Sequence, residues 1–157
     1  MSVRLRTAID DDLDALRDVY RRASLSNDRD REILLSHPDA LEFAGDAIVD
    51  GRTIVAEVDG QLVGFATIGR PENGGVELDD LFVDADAQRR GIGRALVDEA
   101  GARARHAGAV RIDVTANPDA LAFYVSVGFV VVGEAETRFG VAPRMSLEIR
   151  DVRTEQP

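Results

Sequence analysis

The sequence contains neither lysine nor cysteine, and it has only two histidines among its 157 residues. Without lysine, the chain cannot supply the amine of a P-loop or of a Schiff base. Without cysteine, it has no thiol nucleophile, no disulfide and no thiolate metal ligand. His37 and His106 are too far apart for an HExxH zinc motif, so we expect no metal.

Long apolar runs are also missing. No stretch approaches the roughly 20 apolar residues of a membrane-spanning helix, and residues 1–6 do not open an apolar leader, so we expect a cytoplasmic protein. The formal net charge of −10 repels nucleic acid and anionic membranes, and we expect neither as a partner. Salt adaptation and codon bias are both open as explanations of the acidic, lysine-free composition.

The domain organisation follows from length and texture. The chain fits one compact domain, and it has no repeats, low-complexity runs or linker-like stretches. We predict a single domain over residues 1–150 and a polar C-terminal tail over residues 151–157.

Alternating apolar patterns predict seven strands, at residues 3–6, 53–58, 62–68, 76–83, 110–115, 129–132 and 144–149. Helices are predicted from about residue 10 and at residues 28–36, 91–107 and 117–128, while residues 39–51 are ambiguous. Asp59-Gly60 is a strong hairpin signal, which makes the first half antiparallel. The fold class is therefore α/β, a mixed and mostly antiparallel sheet with flanking helices. Its only parallel pair joins strands 76–83 and 110–115 across the intervening helix.

The segment from residue 81 to residue 96 carries the strongest chemical signal. A strand passes through an acidic loop into a turn with Gly91 and Gly93, and this turn opens a helix. Free amide groups at a helix N-terminus bind phosphate when side chains leave them accessible. A Rossmann fingerprint would place its third glycine where Leu96 stands. The turn is thus either an anion-binding site of another type or a flexible, charged helix entry.

A second motif accompanies the first. Gln88-x-x-Gly91-x-Gly93 after a Leu-Phe-Val strand, followed by Asn117-x-x-Ala120-x-x-Phe123-Tyr124 and Gly128-Phe129, resembles the GNAT superfamily of N-acetyltransferases. The resemblance is close over residues 76–132, and it implies acetyl-coenzyme A as cosubstrate. In that family the glycine turn binds the pyrophosphate, and pantetheine inserts where the parallel strands splay apart. The implied cofactor-binding residues are Leu81, Phe82, Val83, Gln88, Arg89, Arg90, Gly91, Ile92, Gly93, Arg94, Asn117 and Tyr124.

The resemblance also implies catalytic roles. Tyr124 would protonate the departing thiolate, because a phenol stays protonated at neutral pH, and the Val83 amide would polarise the thioester carbonyl. Glu77 is the candidate base, and Asp79 shares its side of the strand. The alternatives are that Tyr124 is an ordinary core tyrosine, that Glu77 and Asp79 are solvated surface carboxylates, and that a water relay takes the place of a fixed base.

The function we infer is direct transfer of an acetyl group from acetyl-coenzyme A to a primary amine, on a small molecule or a protein amino terminus. The carboxylates at 77, 79 and 80 favour a cationic acceptor. The alternatives are a non-catalytic acetyl-coenzyme A sensor and an acyltransferase for a longer acyl group. His37, Arg138 and Phe139 are candidates for acceptor recognition. The acceptor, the acyl preference and the oligomeric state stay open, and a homodimer is one alternative.

Overall fold

The computed structural model describes residues 2–26 and 28–149. Its seven strands form a sheet in the order β1-β2-β3-β4-β5-β7-β6. The strands are β1 Val3–Thr7, β2 Thr53–Val58, β3 Gln61–Ile68, β4 Gly75–Val83, β5 Arg111–Thr115, β6 Val130–Thr137 and β7 Gly140–Glu148. The predicted mixed sheet with its parallel β4–β5 pair is confirmed. The predicted tail at residues 151–157 lies outside the described residues.

The helices are α1 Leu13–Leu25, α2 Asp28–Leu35, α3 Asp46–Val49, α4 Ile92–His106 and α5 Leu121–Ser126. Short 3₁₀ turns occupy Asp10–Asp12, Pro38–Leu41, Ala85–Ala87 and Pro118–Ala120. The helix predicted from Asp10 therefore begins as a 3₁₀ turn, and the ambiguous residues 39–51 hold part of a 3₁₀ turn and the single turn of α3. Within the described residues, no helix has the length and apolarity needed to cross a membrane.

By its internal contacts the chain divides into two compact units. The first combines Met1–Thr67 with Asp80–Glu99, and the second combines Ile68–Asp79 with Ala100–Pro157. Because both units are built from separate stretches of sequence, no single cut point in the chain separates them. The single-domain organisation stays a prediction.

The core of the first unit packs helix α1 on the strands of the amino-terminal half. Strands β1, β2 and β3 pair antiparallel, and the predicted hairpin turn has left-handed backbone at both Asp59 (φ 52°) and Gly60 (φ 80°). One cluster of buried residues in this core contains Ala8, Leu16, Val19, Ile48, Val55, Leu62 and Phe65.

Gly64 lies at a close approach within this first unit. A Cβ atom placed on it would lie 3.0 Å from the carbonyl oxygen of Phe82, 3.3 Å from Val83 Cγ2 and 3.4 Å from Leu96 Cδ1. A side chain at this position would push on the end of β4 and on α4 together, so glycine is the residue that fits.

In the second unit, the last hairpin is longer than the sequence predicts. The strands predicted at residues 129–132 and 144–149 are too short, because β6 and β7 form one long antiparallel hairpin that turns at Arg138 and Phe139. Gly133 interrupts the apolar run beside a register shift, and the glutamates that follow it resemble a loop in sequence. Thr137 closes the turn by donating to the Gly140 carbonyl at 2.6 Å.

Candidate active site

The turn before α4 has the backbone that an anion site needs. Arg89 and Gly91 both adopt left-handed conformations, with φ 66° and φ 78°. Gln88, Arg89 and Gly91 are exposed, whereas Ala87 before the turn and Ile92 after it are buried and fix its two ends. Helix α4 then starts with the Ala95 amide donating to the Gly91 carbonyl at 3.0 Å. The amides of the turn itself thus precede the helical hydrogen bonding.

Space is available beside this turn. A Cβ atom placed on Gly91 would meet no other atom within 4 Å. Glycine is therefore favoured here by backbone conformation alone, since a left-handed φ strains other residues. Open space, amide donors at a helix start and three nearby arginines suit a diphosphate. The residues present therefore fit the phosphate end of coenzyme A.

The end of β4 leads into the turn. Leu81, Phe82 and Val83 are half-buried, and the Val83 carbonyl accepts a hydrogen bond from Gln88 Nε2 at 3.3 Å. This bond ties the first residue of the turn back to the strand. Of the predicted cofactor residues, the structure thus brings Val83 and Gln88 into direct contact.

Asp84 anchors the acidic loop between strand and turn. Its amide donates to the Val63 carbonyl at 2.8 Å, and its carboxylate accepts two hydrogen bonds from the Arg22 guanidinium, each at 2.9 Å. Asp84 raises the pKa of Arg22 through this pair. Because the Arg22 side chain is 54% exposed, the pair positions the loop more than it stabilises the fold.

The parallel pairing of β4 and β5 includes the candidate base. Gly75–Glu77 pair with Arg111–Asp113 in parallel register. The splaying of the two strands that the sequence resemblance implies stays a prediction.

Glu77, the candidate base, is held by an ion pair. Arg144 Nη1 donates to Glu77 Oε1, and Nη2 donates to Oε2 at 3.2 Å. Arg144 also donates to the Thr115 hydroxyl at 3.0 Å, and the bond with Glu77 is the largest cause of a raised Arg144 pKa. Both carboxylate oxygens of Glu77 are therefore engaged in charge-assisted hydrogen bonds.

Asp79 shares the face of Glu77, as the strand periodicity predicts. A Cβ atom placed on Gly69 would lie 3.6 Å from Asp79 Oδ2 and 3.7 Å from Glu77 Cβ. Asp79 is the more exposed of the two carboxylates. The structure thus brings the two acidic candidates together on one side of β4.

Tyr124 lies in an apolar setting on α5. It is 7% exposed, and its ring makes edge contacts with Phe123 and Phe129 at centroid distances of 5.3 and 5.2 Å. Burial raises the pKa of the Tyr124 phenol to about 12. The phenol keeps its proton at every physiological pH, and it is a weaker acid than an ordinary tyrosine.

Asn117 acts as a cap in this structure. Its side-chain oxygen accepts a hydrogen bond from the Asp119 amide at 2.9 Å and starts the 3₁₀ turn that precedes α5. Within residues 2–26 and 28–149 no group of three or more histidine or acidic side chains is placed to hold a metal ion.

Sequence reasoning missed Arg144 and Thr115 as partners of Glu77. Arg144 lies 67 residues from Glu77, and no local pattern links them. The available signal is register: Glu77 pairs with Asp113, and Thr115 pairs with Arg144. That register only becomes known once the strand order is known.

A family model described as an acetyltransferase (GNAT) domain matches residues 41–147, which is more than half of the chain. The chain belongs to the GNAT acetyltransferase family. GNAT members transfer acyl groups from acyl-coenzyme A, so this chain is an acyl-coenzyme A-dependent acetyltransferase by family. A search of curated proteins found no significant match.

Solved structures place the chain in the same GNAT fold. PaiA N-acetyltransferase from Thermoplasma acidophilum, in complex with coenzyme A, has a TM-score of 0.75 and 21% identity, covering 94% of this chain and 99% of its own. YncA from Salmonella typhimurium, with its cofactor acetyl-coenzyme A, has a TM-score of 0.69 and 23% identity, covering 96% of each chain. The ribosomal-protein-S18-alanine N-acetyltransferase from Escherichia coli has a TM-score of 0.69 and 21% identity, covering 99% of each.

Proposed function

We propose that this protein is an N-acetyltransferase that moves an acetyl group from acetyl-coenzyme A directly to a primary amine. The observation that carries the proposal is the turn at the start of α4, where Arg89 and Gly91 adopt left-handed backbone and a Cβ atom placed on Gly91 would meet no other atom within 4 Å. The family match supports the cosubstrate, and the acidic side chains of β4 support a cationic amine as acceptor.

The cofactor would be held by two stretches of the first unit. Backbone amides from Arg89 to Arg94 bind the diphosphate, and Arg89, Arg90 and Arg94 add positive charge in an otherwise acidic protein. Backbone groups of Leu81 and Val83 pair with the pantetheine arm as an added strand would. Acetyl-coenzyme A supplies the activated acyl carbon and a thiolate leaving group.

In the transfer, a bond forms between the amine nitrogen and the acyl carbon, and the carbon–sulfur bond breaks. The Val83 amide donates to the acyl oxygen as negative charge develops there. Tyr124 donates a hydrogen bond to the departing sulfur. Because the pKa of Tyr124 is raised to about 12, we assign it stabilisation of the thiolate by hydrogen bonding, with the final proton delivered by solvent.

The proton of the attacking amine goes to water in this proposal. Arg144 donates hydrogen bonds to both carboxylate oxygens of Glu77, so we assign Glu77 a positioning role in place of the role of base. The pair orients the Glu77 carboxylate, and Arg144 balances much of its negative charge. Asp79 shares that face and adds a negative charge that attracts an ammonium towards β4.

The test is release of free thiol from acetyl-coenzyme A across a panel of primary amines and peptides with free amino termini. We expect thiol release that depends on the acceptor, together with an acetylated amine product by mass spectrometry. Thermal stabilisation by acetyl-coenzyme A with no thiol release from any acceptor would favour the sensing module instead. Faster release from a longer acyl-coenzyme A would correct the acyl group.

The Gly91 turn gives the first prediction. Replacing Gly91 with valine puts a β-branched side chain at a φ of 78°, so the turn must change shape and acetyl-coenzyme A affinity should fall by at least about ten-fold. Calorimetric titration with acetyl-coenzyme A measures the loss.

Gly51 supplies a matched control. It has a φ of 72°, and a Cβ atom placed there would also meet nothing within 4 Å. Gly51→Val should lose similar stability and keep its affinity for acetyl-coenzyme A. Equal affinity in the Gly91→Val protein would remove the diphosphate site from this turn.

A further inference from the structure

The first unit carries a cluster of four aromatic rings, three from α1, β3 and β4 and one from the loop before α3. Tyr20 of α1 meets the Phe82 ring edge-on at a centroid distance of 4.9 Å and the Phe43 ring at 5.6 Å. Phe65 lies beneath them, 5.1 Å from Phe43 and 5.6 Å from Phe82. Phe65 is fully buried, whereas the other three are half-buried. We call Tyr20, Phe43 and Phe82 the aromatic layer, because they form the outer, partly exposed side of the cluster.

The backbone holds the aromatic layer in place. The Tyr20 hydroxyl donates to the Ala40 carbonyl at 2.8 Å, and Arg17 Nε donates to the Phe43 carbonyl at 3.0 Å. The first bond ties the Pro38–Leu41 turn to helix α1, and the second ties the segment after that turn to the same helix. The ring of Phe43 is therefore presented by a segment that is fixed at two points.

Charge accompanies the aromatic layer. Asp80 and Phe82 are two residues apart on β4, so their side chains point to the same side of the strand. Asp80 is also close enough to Tyr20 for its negative charge to raise the pKa of that phenol, after burial as the main cause. Three half-exposed rings beside a carboxylate form a surface that suits an ammonium on an apolar stem.

The aromatic layer also begins next to the proposed reaction centre. Phe82 immediately precedes Val83, whose amide is proposed to bind the acyl oxygen, and consecutive strand residues are about 3.3 Å apart along the chain. An acceptor lying against Phe82 is therefore within reach of the acyl carbon. This step rests on the proposed function.

We propose that the aromatic layer binds the stem of the acceptor, and that the acceptor is a cationic primary amine carrying an aromatic or branched apolar group. Tyr20, Phe43 and Phe82 contact the stem, and Asp80 attracts the ammonium. Small hydrophilic amines and polyamines are then poor substrates, because they leave the rings in contact with water.

The binding experiment uses phenethylamine and ethylamine, which share the ammonium and differ by one ring. Calorimetry on the full chain saturated with coenzyme A should give an affinity for phenethylamine about ten-fold higher or more. Phe43→Leu keeps an apolar side chain and removes a ring, and it should weaken phenethylamine binding about two- to ten-fold with little effect on ethylamine.

Two further variants separate the role of the ring from folding. Leu13 is a partly buried neighbour of the same core without a ring, so Leu13→Ala should lower the unfolding temperature while keeping the preference for phenethylamine. Asp80→Asn should weaken binding of both amines at low salt, with the difference shrinking as salt is added.

Equal affinities for the two amines, or a loss in Phe43→Leu that Leu13→Ala reproduces, would overturn the proposal. Thiol release is measured in parallel and decides a different matter. A preference for phenethylamine in binding without thiol release would leave the aromatic layer as a ligand site and reject the transferase. Equal thiol release from both amines would support the transferase and reject the aromatic layer as the acceptor site.

Discussion

The chain has two tyrosines, and their surroundings on α1 and α5 differ in how the phenol is used. Tyr20 is half-buried, and its hydroxyl donates to the Ala40 carbonyl, so the hydroxyl serves the fold. Tyr124 is buried among the rings of Phe123 and Phe129, and burial is the cause that raises its pKa to about 12. The Tyr20 hydroxyl thus donates a hydrogen bond that holds the fold, whereas the Tyr124 hydroxyl is held in its protonated form by burial. The environment, more than the residue, determines the role.

Alkaline pH gives the largest expected difference between the two. The pKa of Tyr124 is about 12 in the folded protein against an ordinary value of 10.0, so the unfolded chain releases its proton first and the free energy of unfolding falls across that window. The full loss is about 3 kcal/mol. Replacing Tyr124 with phenylalanine should remove this loss, as measured by urea unfolding below and within the window.

The composition makes this measurement clean. The chain has no lysine or cysteine, so tyrosines dominate side-chain titration in that range, and tyrosinate absorbance reports them directly. Tyr20→Phe isolates Tyr124, and the reciprocal variant isolates Tyr20. A Tyr124 that ionises near the ordinary value in the folded protein would contradict the comparison.

Turnover gives the next largest difference. Tyr124→Phe should lower kcat about ten-fold or more, close to 1.4 kcal/mol in the barrier, with little change in acetyl-coenzyme A affinity. Tyr20→Phe keeps its ring and should leave kcat within about two-fold. Steady-state rates with the best acceptor from the amine panel make the comparison, and unchanged kcat in Tyr124→Phe would falsify the role at sulfur.

The smallest effect concerns stability at neutral pH. Tyr20→Phe removes the bond to the Ala40 carbonyl and should cost about 1 kcal/mol in the free energy of unfolding. Tyr124→Phe should cost less, since its ring contacts remain. Chemical unfolding of both variants beside the parent decides this, and the opposite ranking would mean that the Tyr124 hydroxyl serves the fold as well.

Local patterns predicted the parts of the fold that local chemistry controls. Asp59-Gly60 specifies its hairpin because both residues accept left-handed backbone. In the helix predicted at residues 91–107, the apolar residues Ile92, Leu96 and Ala100 recur every four residues and are buried on one side of the helix. The two strands β6 and β7 were predicted, but their full length was missed because Arg138 and Phe139 at the turn between them are not turn-forming residues. Pairing with a long neighbour outweighs such weak local preferences.

The site divides in the same way. The Arg89–Gly91 turn was predictable because the motif is contiguous and its glycine has a conformational reason. The ion pair between Arg144 and Glu77 was not predictable, because it depends on strand order and register. The aromatic layer was not predictable either, because its rings come from separate parts of the chain and each one alone looks like an ordinary core residue.

Gly64 controls how closely β3 packs against the end of β4 and against α4, although it contacts no reacting group. Its missing side chain lets the main chain of β3 approach the carbonyl of Phe82 and the flank of α4. A side chain at residue 64 would meet the Phe82 carbonyl and the Leu96 side chain, so it would displace the proposed pantetheine-binding strand and the diphosphate-binding helix together. Altering residue 64 would retune both halves of cofactor recognition at once without replacing any residue assigned to it.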